Sequence, residues 1–448
     1  MALNTDGSKN RRKVLGGSSL QSLTMFLDIY LQRQGLNQIV PYFRFGMNCA
    51  EEFNLPLSLQ LPDLPPPALM ETYARAYFER IHPMFPLLNE THFRGELARL
   101  RSSQDSQWSP SNHSGNLATV LKHSDVPSLA CIYCVVCLGA VESSGSFVDI
   151  ADGFLSAAYG LYTHIVAQPY LPSAQALILL NLALRSRSKE GQGYQCLGQA
   201  IRIAHSIGLH RYIPSGNPNG DNESSNVWWC AFALERLIEI EAGRPSAIQS
   251  YDCDQILPSN PNTDGINFFH HWISLASILG QICDLLYRSR RNHQSALQLL
   301  QNVSKLDRAL TEWSRSLPEA VRPGGDLFCA PQDLHLATFL SIQYHQAMVT
   351  LHRAALAFPS QQYAKEIDAH ITDLPWQLRL RKGLDICVAS ARSIVKLNAE
   401  LLDRHSILLT GTPLMLACVV LGLSIVKHPQ SRMVRSDLEL LISSQTCQ

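Results

Sequence analysis

Several residue groups in this chain have the types and spacing that could do chemistry. Cys131, Cys134 and Cys137 form a double Cys-x-x-Cys, which on paper opens an iron-sulfur run. The fourth cysteine of such a run would stand four residues beyond the third with proline after it, where this chain has Val141 and Glu142. The flanks Leu129-Ala130 and Leu138-Gly139-Ala140-Val141 predict an apolar helix, in which steps of three set the thiols along one stripe to pack as small hydrophobes. No metal or other cofactor is expected. Ala204-His205-Ser206-Ile207-Gly208 has the outline of a hydrolase nucleophile elbow, but an elbow needs a strand entering the serine and a helix leaving it. Here a helix enters and a proline-bearing loop leaves. Asp252 and Asp254 are the nearest approach to the magnesium-binding aspartates of an all-α cyclase, without the adjacent pair that such an enzyme carries. Glu79-x-x-His82 is half of a di-iron motif with no second half, and reads as a surface pair near a helix end. No phosphate-cradling glycine loop occurs. No catalytic residue is therefore assigned, and an enzyme using Ser206, or Asp252 with Asp254, is kept as the alternative.

These groups must be positioned by helices. Leu20, Leu23, Phe26, Leu27, Tyr30 and Leu31 repeat at helical spacing, as do Tyr73 to Ile81, Leu197 to Ile207, Leu275 to Leu286 and Leu336 to Leu351. Gly208 predicts a C-cap, and Thr412-Pro413 a helix start. Polar, breaker-rich loops are expected at 102–115, 214–226, 258–265 and 318–325. No alternation with hairpin turns appears, so the fold class is all-α. The organisation reads as a flexible basic tail over 1–20, a helical linker over 21–68 ending in the proline-rich break Leu61 to Pro67, and an all-helical body over 69–448. Lys9, Arg11, Arg12 and Lys13 in the tail fit nuclear import or, more commonly for such a run, a solvated face. The basic clusters Arg185 to Lys189 and Arg288 to Arg291 fall at helix ends, facing the negative pole of the dipole.

Lysine plus arginine balance aspartate plus glutamate at 37 each, so no summed field steers the chain to phosphate backbones or acidic membranes. The 12 cysteines are scattered, which suits a reducing compartment, and the N-terminus lacks a secretory layout. The uncharged stretch from Ile407 to Val426 is interrupted by Thr410 to Pro413 and reads as a buried helix, so no membrane is expected.

The stretch from Ala200 to Pro258 carries a distinctive order: Ile201 to Arg211, then Trp228-Trp229, Glu235-Arg236, Gly243-Arg244-Pro245, Asp252, Asp254 and Leu257-Pro258. It resembles the middle homology region of fungal binuclear-zinc-cluster transcription factors, xylanolytic-activator type. Ala76 to Leu88, Phe43 to Met47, Leu306-Asp307 with Trp313, and Tyr344-His345 with Leu351-His352-Arg353 extend the likeness over about residues 16–440. Glu235 stands where the family usually has aspartate and Ala354 where it has proline. The resemblance implies a nuclear regulator of a metabolic or biosynthetic gene set. It also implies partners in the transcription machinery or co-regulators, and homo- or heterodimers. The family's six-cysteine DNA-binding module is not in this sequence, so DNA is expected to be reached only through a missing module or a partner. Arg236, Arg244, Asp252 and Asp254 are expected as one buried charge network beside Trp228 and Trp229, with regulatory contact as the second reading.

Overall fold

The computed structural model describes residues 2–4, 12–14, 20–38, 60–105, 121–144, 149–212, 218–249, 252–258, 265–288, 294–371, 374–401 and 406–445. Lys9, Arg11 and the segment 43–47 lie outside them. Inside the stretch expected as a tail, β1 (Ala2–Asn4) and β2 (Arg12–Val14) pair antiparallel, with Ala2 opposite Val14. Arg12 and Lys13 belong to β2. Everything else regular in the described residues is helical. The first half holds α1 (Leu20–Arg33), α2 (Pro67–Arg80), α3 (Glu90–Asp105), α4 (Val126–Ser144), α5 (Asp149–Gly160), α6 (Tyr162–Ala167), α7 (Leu171–Arg185), α8 (Glu190–Ile207) and α9 (Pro218–Ala242). The second holds α10 (Phe268–Ile282), α11 (Ala296–Ser316), α12 (Leu334–His352), α13 (Ala354–Ala357), α14 (Ser360–His370), α15 (Leu374–Arg381), α16 (Gly383–Glu400), α17 (Gly411–Lys427) and α18 (Val434–Gln445).

Proline sets where α2 begins, although Leu64 before it already packs into the core and the Pro62 carbonyl accepts from the Tyr133 hydroxyl at 2.7 Å. Residues 60–66 are non-helical, because Pro62, Pro65, Pro66 and Pro67 each bar their predecessor from the helical region, and α2 then starts on Pro67. The core sits on helices enclosed on all sides. Every residue is buried from Leu129 to Glu142 in α4, from Ser173 to Arg185 in α7 and from His335 to His352 in α12. Cys131, Cys134 and Cys137 are thus not a stripe on one face; the whole turn around them is interior. Burial pushes all three thiols up, Cys137 to about 12, so they are protonated at neutral pH and pack as apolar groups. The segment His123–Ser144 is long and apolar enough to cross a bilayer, but 83% of its apolar window is buried inside the protein.

Enclosed helices must be tied by their polar groups. Glu142 of α4 forms an ion pair with Arg80 and accepts from the Ser406 hydroxyl at 3.0 Å and the Ile407 N–H at 2.7 Å. The His335 ring Nε2 lies 2.7 Å from the Arg80 carbonyl oxygen. The end of α2 is therefore held by α4 and α12 together. His82, read as half of a surface pair, turns inward, its Nε2 lying 2.8 Å from the Leu88 carbonyl oxygen, while Glu79 stays exposed. A second, smaller core joins α12, α13, α16 and α17 through Val349, Leu356, Ile394, Leu414 and Leu421. Arg392 of α16 donates to both carboxylate oxygens of Asp437 on α18 at 2.6 and 2.9 Å.

Several boundaries differ from the expectation: α3 runs to Asp105, into the loop placed at 102–115, and a short helical turn at Glu319–Val321 lies within the loop placed at 318–325. The loop placed at 214–226 is helical from Pro218, because tertiary bonds reward it: Gln175 donates to Glu223 at 2.9 Å and Ser225 donates to the Ile256 carbonyl at 2.7 Å. α17 starts at Gly411 with Thr410 as N-cap, two residues before the Thr412 cap expected.

Gly139 marks a close helix contact, for a Cβ there would overlap the Tyr73 carbonyl of α2, whereas a Cβ on Gly153 of α5 meets nothing within 4 Å. Gly139→Ala is expected to lower stability by about 3 kcal/mol and Gly153→Ala to raise it by up to about 1 kcal/mol. Urea unfolding of the two variants reads the difference. Equal midpoints would show that α2 and α4 do not meet at Gly139.

Candidate functional site

The end of α8 starts the site. Leu197, Ile201 and Ala204 face the core at helical spacing, and Gly208 ends the helix at φ 80°, a left-handed value that glycine takes without strain. The turn sends Leu209 to Tyr212 alongside a strap formed by residues 252–258. Gln255 Nε2 donates to the Leu209 and Arg211 carbonyls at 2.9 and 3.3 Å, and the Asp254 N–H donates to the His210 carbonyl at 3.1 Å. Asp254 in turn accepts from the Tyr212 N–H at 3.0 Å and pairs with Arg211 at 3.3 Å. The Tyr212 hydrogen bond chiefly, with the Arg211 guanidinium after it, holds the Asp254 carboxyl below the usual range.

α9 supplies the other wall. Trp228 is fully buried and its indole Nε1 donates to Cys253 Sγ at 3.1 Å; Trp229 donates to the Ile256 carbonyl at 3.0 Å. Adjacent residues on one helix thus grip two points of the same strap. The His205 and His210 rings meet edge to face at 4.9 Å and lie 5.4 and 5.8 Å from Trp228. Burial first, then the neighbouring His205 and Arg211, pull His210 down to about 4. Burial also lowers His205, so the pair is neutral at physiological pH.

Two turns further along α9 lies a buried ionic centre. Arg236, 1% exposed, donates to Glu239 at 2.8 Å and to the Ile248 carbonyl at 3.1 Å, with its guanidinium 5.1 Å from the Phe232 ring centre. Gly280 on α10 leaves it room, since a Cβ there would sit 2.7 Å from Arg236 Cδ. Glu239 also takes Arg288 at 2.7 Å, and Arg288 bonds Asp284 at 2.6 Å. Glu235 accepts from the Ala247 N–H at 2.6 Å, fixing the turn after α9. Burial raises the Glu235 carboxyl above its usual range.

The four-residue network expected from the sequence is therefore divided. Arg236 is buried, but its carboxylate is Glu239. Arg244 is exposed and stacks 4.5 Å over the Tyr194 ring; it anchors neither aspartate. Asp252 is exposed, and Asp254 belongs to Arg211. The helix-end clusters need correction as well. Arg185 is buried against Glu241 at 2.8 Å, and Arg288 joins the Arg236 centre, so both are drawn to carboxylates more than to a dipole. Ser206 is half-buried in the last turn of α8, followed by the Gly208 cap and not by a helix.

A second ionic centre, which no local spacing in the sequence marks, joins α11, α12 and α15. Asp307 on α11, fully buried, takes Arg379 of α15 through both carboxylate oxygens and has His352 of α12 3.1 Å away. Burial works to raise the Asp307 pKa, but the His352 and Arg379 hydrogen bonds outweigh it and hold the carboxyl below the usual range. Among the described residues no cluster of three histidine, cysteine or acidic side chains is arranged to hold a metal ion.

The family model described as fungal specific transcription factor domain matches residues 74–315, which contain every bond of the strap and of the Arg236 centre. An ABC-transporter-regulating transcription factor of Aspergillus oryzae is 26% identical over 84% of this chain and 43% of its own length. An uncharacterized transcriptional regulatory protein of Schizosaccharomyces pombe is 22% identical over 85% of this chain and 50% of its own. Cutinase transcription factor 1 alpha of Fusarium vanettenii is 22% identical over 73% and 37%. The chain spans about half the length of the curated relatives it matches. No solved structure matches it.

Glu235 gives the site a pH signature. A carboxyl raised above its usual value near 4.5 contributes stability below that value and loses it as pH rises through the raised one. Glu235→Gln keeps an acceptor for the Ala247 N–H without the buried charge, so its melting temperature is expected to match the parent at about pH 4 and exceed it at about pH 8. A constant difference would place Glu235 in water. Arg244→Ala, on the exposed Tyr194 ring, should cost less than about 1 kcal/mol in the same melts.

Proposed function

The chain belongs to the fungal specific transcription factor domain family, and we propose that it is the regulatory body of a nuclear transcription regulator, acting through binding and not through chemistry. The observation that carries this is the family match over 74–315, supported by relatives named as transcription factors or regulators along most of the chain. The relatives' printed targets, ABC transporters and cutinase, favour control of a metabolic or biosynthetic gene set.

The physical chemistry of the site agrees with this reading. A hydrolase would use Ser206 and a cyclase Asp252 with Asp254, yet Ser206 has a helix instead of an elbow around it and Asp254 is engaged with Arg211 and Tyr212. The family's motif residues fasten helices to a strap. A body built this way transmits a signal when a ligand or partner binds one arrangement of its helices better than another. With 37 positive and 37 negative side chains, DNA contact is assigned to a separate module or to a partner chain, and a homodimer or heterodimer would supply the second half-site reader. Co-regulators and the transcription machinery are the other partners.

Fusing the chain to a foreign DNA-binding module is expected to change transcription of a matching reporter several-fold. Ser206→Ala and Asp252→Asn should leave that change intact. A silent reporter from a folded, nuclear fusion, together with turnover that either substitution abolishes, would overturn the reading.

A further inference from the structure

α17 has an outer face that the second core does not use. Leu414, Ala417, Val420 and Leu421 turn inward, while Val419, Leu423 and Val426 recur at four- and three-residue steps on the opposite side, 58, 45 and 78% exposed. No charged residue stands in α17 before Lys427, so this face lacks the charges that ordinarily cover a surface helix. Gly422 lies beside the stripe, and a Cβ added to it meets nothing within 4 Å. Packing within the chain therefore does not ask for glycine there, although glycine inside a helix lowers its stability. A second backbone approaching from outside does ask for it.

The stripe runs into a basic turn. Every residue from Val426 to Met433 is exposed, and the turn is kept short by two bonds, Ser431 N–H to the His428 carbonyl at 3.0 Å and Val434 N–H to the Ser431 carbonyl at 3.2 Å. From Gly411 to Ser436 the sequence holds Lys427, Arg432 and Arg435 and no acidic residue. Lys427 donates to the Leu356 carbonyl, which leaves its charge in place, and Arg435 is shared with Glu439 at 3.3 Å in an exposed pair. Lys427 and Arg432 thus set a positive potential at this end of the stripe. A second copy offers no acidic residue on the matching face. No residue from Gly411 to Ser436 is aromatic, whereas helices that lie on membranes anchor through aromatic side chains.

We propose that this face docks a short amphipathic helix of another protein, its apolar stripe on Val419, Leu423 and Val426, its closest approach at Gly422 and its acidic side chains toward Lys427 and Arg432. An antiparallel crossing sets the first turn of the partner helix, where acidic residues are favoured, against the basic turn. This rests on the reading of the chain as a regulator that works by binding, and it names the chemistry of one partner. It is tested on the purified chain, so its failure leaves the reporter experiment untouched.

The full chain is titrated into a labelled, helix-stabilised peptide of about four turns, with leucine along one stripe and glutamate beside it, and into a twin with lysine for each glutamate. Fluorescence polarisation should show binding of the acidic peptide, and binding of the lysine twin weaker by about tenfold or more. Val426→Ser, Arg432→Glu and Gly422→Glu should each weaken the acidic peptide by about tenfold at an unchanged melting temperature, and Arg202→Glu on exposed α8 should not. Should one of the three melt early, Arg432→Gln is read in its place and is expected to show a loss in the same direction. The proposal is overturned by no binding of the acidic peptide up to about 1 mM, by equal binding of the twin, or by binding that all three substitutions leave unchanged. It is also overturned if Val426→Ser abolishes a dimer of the chain seen in sedimentation, which assigns the face to a second copy, or abolishes binding to phosphatidylserine vesicles in a chain that binds no peptide, which assigns it to a membrane.

Discussion

A guanidinium enclosed by helices is the constraint on which the middle of this molecule depends. Arg236 cannot be solvated where it lies, so its donors must find acceptors within the protein, and those described include Glu239 on its own helix and the Ile248 carbonyl beyond the following turn. The turn after α9 is thereby brought back over the helix, and the Glu235 bond to Ala247 holds it there. α10 must pass close by, which Gly280 allows. Once these are set, the strap at 252–258 emerges where Trp228 and Trp229 can reach it, and α8 is closed against it by Gln255 and Asp254.

Asp307 performs the same task in the second half, drawing α11, α12 and α15 to one carboxylate. Both centres sit on residues that carry the family resemblance, Glu235-Arg236 and Leu306-Asp307 with His352. The motifs of this family region, in this chain, are sites of packing and charge satisfaction.

Local signals in the sequence were legible and distant ones were not. The helical spacing of α1, the Gly208 cap and the proline break before α2 follow from spacing and backbone preference, and the all-α class follows from the sum of such signals; that α2 starts on Pro67 itself, inside the expected break, does not. The Arg236 partner is also local, because Glu239 is three residues on along one helix, whereas the acidic pair at 252 and 254 lies in the strap and not beside it. Asp307 and Arg379 are 72 residues apart, and Arg80 and Glu142 are 62 apart; nothing in either local pattern joins them. The helical start of α9 ran against its own composition, in which Asn219, Gly220, Asp221 and Asn222 favour a turn, and was decided by bonds to α7 and the strap.

The central claim is that Arg236 and Glu239 act as one buried unit, and a double-mutant cycle with Arg236→Met and Glu239→Gln measures this directly. Removing either partner disturbs the same interaction, so the two losses should overlap, with a coupling energy of at least about 1 kcal/mol from urea unfolding. Additive effects, within about 0.3 kcal/mol, would mean that the pair does not organise the site.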